Sequence, residues 1–252
     1  MIKYFIVLIF FSQTADSNLQ TGINYFNART ENAKGLQANA INVDKAIQIF
    51  DALLKQNKDV KIAGGYYMQC LNFKGRFVYT DDKDKKKAFA KAIELGNDLV
   101  QKFPKDGKIR FELISAIGLL AEINGVMKSV EDWVLNKMLY HTKILTETDS
   151  LYNEGGGWKV ETALHVKTPY IPFILTWPDK KKGIAIMKNA LRHFPTNVGC
   201  NFYYAEALYE DNQKSLAKIY FELSLKLPSR KDYRLEDEFF KVKAKKYLSE
   251  WN

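Results

Sequence analysis

Cysteine, histidine and proline are all scarce here: two, three and six in 252 residues. Two cysteines, Cys70 and Cys200, make neither a disulfide framework nor a zinc site. An oxidising compartment would permit one bridge between them, yet each also falls in an apolar helical pattern that suits a buried free thiol. The histidines His141, His165 and His193 belong to no HExxH and to no pair at metal-ligand spacing. Arginine-rich stripes and nucleic-acid reader motifs are missing as well, so a net charge of +9 does not by itself point to nucleic acid. The triple glycine Gly155–Gly157 lacks both the strand and the GxxxxGK[ST] spacing of a phosphate loop. The expectation is a protein with no metal, no cofactor and no catalytic residues.

Long apolar runs are also lacking. After residue 17 no segment approaches the ~18 apolar residues that cross a bilayer, so no integral membrane segment is expected. Before that point the chain carries the layout of a secretory signal. Met1-Ile2-Lys3 supplies a short positive start, Tyr4–Phe11 is apolar, and Ser12–Ser17 is polar with small residues placed for cleavage near Ser17. No cysteine follows the apolar run, so a lipid-modified N-terminus is not supported. The expectation is a periplasmic or secreted protein with residues 1–17 removed and a single helical-repeat domain over 18–252. An apolar content of 46% is enough for a full core. The lysine clusters Lys83–Lys87, Lys180–Lys182 and Lys241–Lys246 lie in or beside helical patterns and read as solvated faces.

What the chain does have is helical periodicity. Leu19–Ala40 reads as one helix. Asn42 is placed to cap the next, with Val43, Ala46, Ile47, Phe50 and Leu54 as a buried stripe. Asp59–Tyr79 is aromatic-rich, the polar loop Thr80–Asp84 follows, and Lys85–Phe103 stops at Pro104. Ile109–Asn124 and Val130–Thr146 form a pair broken at Asn124-Gly125. In Leu151–Lys167 the glycines place the helix start near Trp158. Pro169, Pro172 and Pro178 make Lys167–Trp177 extended. Asp179 opens a helix that Pro195 ends. Asn201–Glu210 and Ser215–Leu227 pair next, the latter with Leu216, Ile219, Tyr220, Leu223 and Leu227 on one face, and Leu235–Trp251 closes the chain. No stretch alternates long enough for a strand. The predicted fold is all-α, built of antiparallel helix pairs with one proline-rich crossing segment.

Three helices end alike, in LVQKFP, LRHFP and LKLP, and Pro195 and Pro228 stand 33 residues apart. That spacing is close to the ~34-residue period of tetratricopeptide repeats. Counting back from Pro195, Ala190, Met187 and Gly183 match that family's small, large and small positions. Counting back from Pro228, the equivalents are Leu223, Tyr220 and Leu216, of which the aromatic fits and Ala217 stands one position off. Over Asp179–Ser229 the chain therefore resembles the tetratricopeptide family, with a degenerate likeness over Asn42–Pro104. The resemblance implies a stacked α-solenoid that binds partners and catalyses nothing. The glycine cluster, Pro169, Pro172, Trp177-Pro178 and the helix with Ala205 and Glu206 also resemble the tetratricopeptide-type T-components of TRAP transporters. That likeness implies a periplasmic scaffold docking an extracytoplasmic solute-binding protein, in some members as a homo-oligomer.

The binding candidates are Trp158, Tyr170, Phe173, Trp177, Tyr203 and Glu206. Aromatic and proline-rich loops on a rigid frame can wall an interaction patch or an apolar pocket for a small ligand. The same rings can instead seal the solenoid where its repeat is interrupted. Glu206 and Glu210, one turn apart, can receive a basic group or form a solvated edge. Glu161 and His165, four apart on one helix, are the one pair that a hydrolase of unrecognised type could use.

Overall fold

A computed structural model describes residues 18–125, 128–129 and 133–250; the secretory-type segment 1–17, Val130 and Trp251 lie outside the described residues. As predicted, the fold is all-α. Among the described residues β-structure is limited to two isolated bridges, Lys34 with Gln37 and Ile171 with Leu175. The chain gathers into two compact units that part between Ile123 and Asn124.

The first unit holds α1 (residues 18–27), α2 (Ile41–Lys55), α3 (Val60–Phe77), α4 (Asp82–Lys102) and α5 (Gly107–Asn124). Neighbours in sequence are neighbours in space, α2 on α3 and α3 on α4. Their shared core includes Phe50, Met68, Phe89, Leu99 and Leu113, all buried. The expected Leu19–Ala40 helix stops early, because Arg29 is buried with its guanidinium 4.2 Å from the Phe26 ring centre and 5.2 Å from that of Phe73. Residues 28–33 turn there, and the chain then crosses to the end of α3, where Ala38 N–H donates to the Phe77 carbonyl at 2.7 Å. Asn42 does not cap α2. Its amide donates instead to the Ala28 carbonyl at 2.9 Å, and the helix opens two residues earlier, at Ile41. The loop before α4 is likewise shorter than expected. Asp81 accepts from Asp84 N–H at 2.9 Å, which is a side-chain N-cap with more acid in the first turn, so the helix begins at Asp82.

The second unit holds α6 (Val134–Thr148), α7 (Tyr152–Lys167), α8 (Lys180–His193), α9 (Val198–Glu210), α10 (Lys214–Lys226), a 3₁₀ turn (Lys231–Tyr233) and α11 (Arg234–Ser249). Each helix packs on the next, and α7, α9 and α11 also touch in sequence, which is the stacking of a helical repeat. Asp179 opens α8 as predicted, accepting from Lys181 and Lys182 N–H, whereas α9 begins three residues before the expected Asn201, capped by Asn197, which accepts from Cys200 N–H.

Gly183, Met187 and Ala190 are all buried, as the repeat positions require. A Cβ at Gly183 would lie 2.8 Å from Val166 Cγ2, so the glycine lets α8 sit against α7. In α10 the register is offset by one residue. Its buried side is Ala217, Phe221 and Ser224, because Phe221 stacks on Tyr247 of α11 at 4.7 Å and meets Phe202 of α9 at 5.7 Å. Of the stripe predicted to be core, Leu216, Ile219 and Leu223 lie outward, while Tyr220 and Leu227 are half-buried.

Candidate functional site

Between α7 and α8 the chain runs from Thr168 to Pro178 without a charged residue. Thr168 takes an extended conformation and ends α7, as the following proline demands. A tight turn follows. Ile174 N–H donates to the Ile171 carbonyl at 3.1 Å, and Ile171 and Leu175 exchange two bonds at 2.9 and 2.8 Å. Pro172 holds the second position of that turn and Phe173 the third, at φ +66°. A positive φ at the third position is the type II pattern, which ordinarily takes glycine or asparagine. The root is fixed on both sides. Leu175 is buried, and Trp177 Nε1–H donates to Asn136 Oδ1 on α6 at 2.8 Å while its ring lies edge-on to His165. The loop is a short, anchored projection.

The six predicted site residues separate. Phe173 is wholly exposed at the tip, and Tyr170 is exposed beside it together with Ile174. Trp177 is half-buried at the root. Trp158 packs against the core of the second unit and against His193, 5.4 Å between ring centres. Tyr203 packs edge-on to Phe240 at 5.3 Å. Glu206 is buried, accepts from Tyr247 OH at 3.0 Å and pairs with Lys167 at 2.8 Å. Four of the six thus build the frame, and Tyr170 and Phe173 stand free on it. Two further rings are exposed, Tyr140 on α6 one turn beyond Asn136 and Trp133 at the left-handed residue just before α6. Helical spacing cannot mark them, since their outward side is decided by what α6 packs against.

A second outward apolar surface is the α10 stripe. Leu216, Ile219 and Leu223 are 38%, 58% and 36% exposed, and Tyr220, its ring 4.7 Å from Tyr204, fills the stripe between them. Positions i, i+3, i+4 and i+7 on a helix whose opposite side is locked into the core form a pre-set ridge.

Glu161 and His165 do come together, Nε2 3.8 Å from Oε1, beyond hydrogen-bond length. His165, with Lys182 3.5 Å away, holds the Glu161 carboxyl below its ordinary range. Both are buried, and neither ring nitrogen has a hydrogen-bond partner among the described residues. The two cysteines are buried free thiols, and burial pushes both thiols upward, away from the thiolate. No group of three or more metal-ligating side chains occurs among the described residues, and no helix there is long and apolar enough to cross a membrane.

Fold and surface together define an all-α protein of packed helices whose outward apolar features include a loop tip and a helix ridge. No protein-family model matches the chain, and a search of curated proteins finds no match.

Proposed function

We propose that this is an exported, non-catalytic helical-repeat scaffold that docks another protein along α10. The observation that carries this reading is the ridge of exposed Leu216, Ile219 and Leu223, with half-buried Tyr220 between them, on a helix packed through Ala217, Phe221 and Ser224. Contiguous apolar side chains on a fixed helix face are what a partner helix or groove engages. The tetratricopeptide-like spacing supports the same reading, and the T-component resemblance proposes an extracytoplasmic solute-binding protein as the partner. The alternative of an aromatic pocket for a small apolar ligand loses its walls, because Trp158, Tyr203 and Trp177 pack against protein.

The test is affinity capture from a native periplasmic extract with wild type and an Ile219→Lys/Leu223→Lys double variant. Both positions face outward, so the variant is expected to keep its helical circular dichroism and melting behaviour. Loss of one abundant partner, with affinity down at least about a hundredfold for two ridge anchors of ~1.5 kcal/mol each, is the expected result. Equal capture by both proteins would dismiss the ridge.

A further inference from the structure

The ridge leaves the loop tip without a role, and the tip has a different character. It is convex, uncharged over Thr168–Pro178, and carries a phenylalanine at full exposure on a left-handed backbone. A protein partner would need a cavity shaped to such a point, whereas a bilayer deforms around it. Exposed Tyr170 flanks the tip, exposed Tyr140 stands on α6 one turn beyond the asparagine that holds the loop root, and exposed Trp133 precedes that helix. Tyrosine and tryptophan are the rings that favour a membrane–water boundary, apolar body inward and polar edge in the headgroups.

Charge at the root fits the same surface. Lys167 and Lys182 pair with Glu206 and Glu161, but the carboxylates are the buried partners. The outer partner of each pair is the lysine, its side chain 44% and 48% exposed. The whole chain carries +9, which attracts it to an anionic surface over a Debye length.

We propose that the Tyr170–Ile174 tip inserts into the outer boundary of a phospholipid bilayer, so that the scaffold is a peripheral membrane protein. Phe173 and Ile174 enter the acyl region, Tyr170 sits at headgroup level, and the lysines at the loop root meet lipid phosphates. The loop is rigid because Leu175 is buried and Trp177 is bonded to Asn136, so insertion costs little ordering. This proposal stands apart from the α10 ridge and does not depend on it.

The experiment places an environment-sensitive dye on a Phe173→Cys variant of the full chain. Cys70 and Cys200 are buried and stay unlabelled in the folded protein. Vesicles of phosphatidylcholine with phosphatidylglycerol are expected to shift the dye emission to the blue, and phosphatidylcholine alone to do so more weakly. Added salt narrows the gap between the two lipids. In parallel, vesicle partition of an unlabelled Phe173→Gly/Ile174→Ser variant is expected to fall at least about tenfold, the worth of one buried apolar side chain. Glycine suits the φ of +66°, so that variant keeps its turn, and circular dichroism checks the fold. On phosphatidylcholine alone, where its two added charges gain nothing, the Ile219→Lys/Leu223→Lys variant partitions like wild type. A dye that stays in water while vesicles are present overturns the proposal, as does a double variant that partitions unchanged. A dye that shifts with a protein partner and not with vesicles makes the loop a protein-docking element, and overturns it too.

Discussion

Burial pushes the Lys108 ammonium down to about 8 from an ordinary 10.5, with Glu112 pulling it back and Arg29 adding to the fall. Its nitrogen lies 3.0 Å from the Tyr66 ring centre, and Gly65 gives the side chain room, since a Cβ there would be 3.2 Å from Lys108 Cδ. A lysine whose folded pKa is depressed costs stability while it is charged. Between about pH 8 and pH 10.5 the unfolded chain holds a proton that the folded chain has lost, so this residue makes stability rise with pH across that window. The full effect is on the order of 3 kcal/mol. Lys108→Met is therefore expected to be the more stable protein at neutral pH, with its advantage shrinking as pH approaches 10.5. Urea denaturation of both proteins at a series of pH values checks this. Parallel stability curves would mean that the ammonium is not desolvated. Nothing in the sequence separates Lys108 from its neighbours, because its burial comes from α3, far away along the chain.

At the scale of the element, the helices were legible and their faces only partly so. In α8 the polar and apolar sides are distinct, and Gly183, Met187 and Ala190 fall inward as the spacing predicts. In α10 both sides are apolar, Leu216-Ile219-Leu223 against Ala217-Phe221, and bulk alone favours the wrong one. The rings of Phe202 and Tyr247 decide the matter. The same limit applies to the candidate site. Proline placement announces a loop with exposed aromatics, yet Trp177 turns inward to Asn136, a partner 41 residues away. The start of α7 is a further case. Asn153, Glu154 and Gly155 are all left-handed, so the kink begins before the glycines. Glu154 forms an ion pair with Arg230 at 3.3 Å and accepts a hydrogen bond from the Asn197 amide. Arg230 in turn is forked onto Asp237, which has no exposed surface, through Nε at 3.0 Å, Nη2 at 2.7 Å and its own backbone N–H at 2.8 Å. Arg230→Ala would leave that carboxylate buried without its cation, at a cost of about 3–5 kcal/mol. A urea midpoint that moves by less than about 1 kcal/mol equivalent would show that Asp237 finds water instead.

At the scale of the whole molecule, the unbroken run of helices suggests one domain over 18–252, while the contacts gather into two compact units. Helical periodicity reports which side of a segment is buried, not which other segments bury it, so a parting between units leaves no mark on the pattern. What the sequence does show at that place is the helix break Asn124-Gly125, and Gly125 has a φ of +91°. The second unit has what a domain needs. It holds its own core of Met187, Phe202, Leu208 and Phe221, its own capped helices, and the Arg230–Asp237 lock that ties α11 to the start of α7. It also carries the loop tip and the helix ridge. A chain of residues 124–252 is therefore expected to fold alone, with helical circular dichroism and one cooperative urea transition. It should keep the vesicle partition of the full chain, since Tyr170, Phe173 and Ile174 and their anchors all lie within it. A fragment that is helical yet melts without cooperativity would show that its core needs the first unit. A fragment that folds cooperatively but no longer meets vesicles would move the lipid contact to residues 1–123, and the loop tip would lose that role.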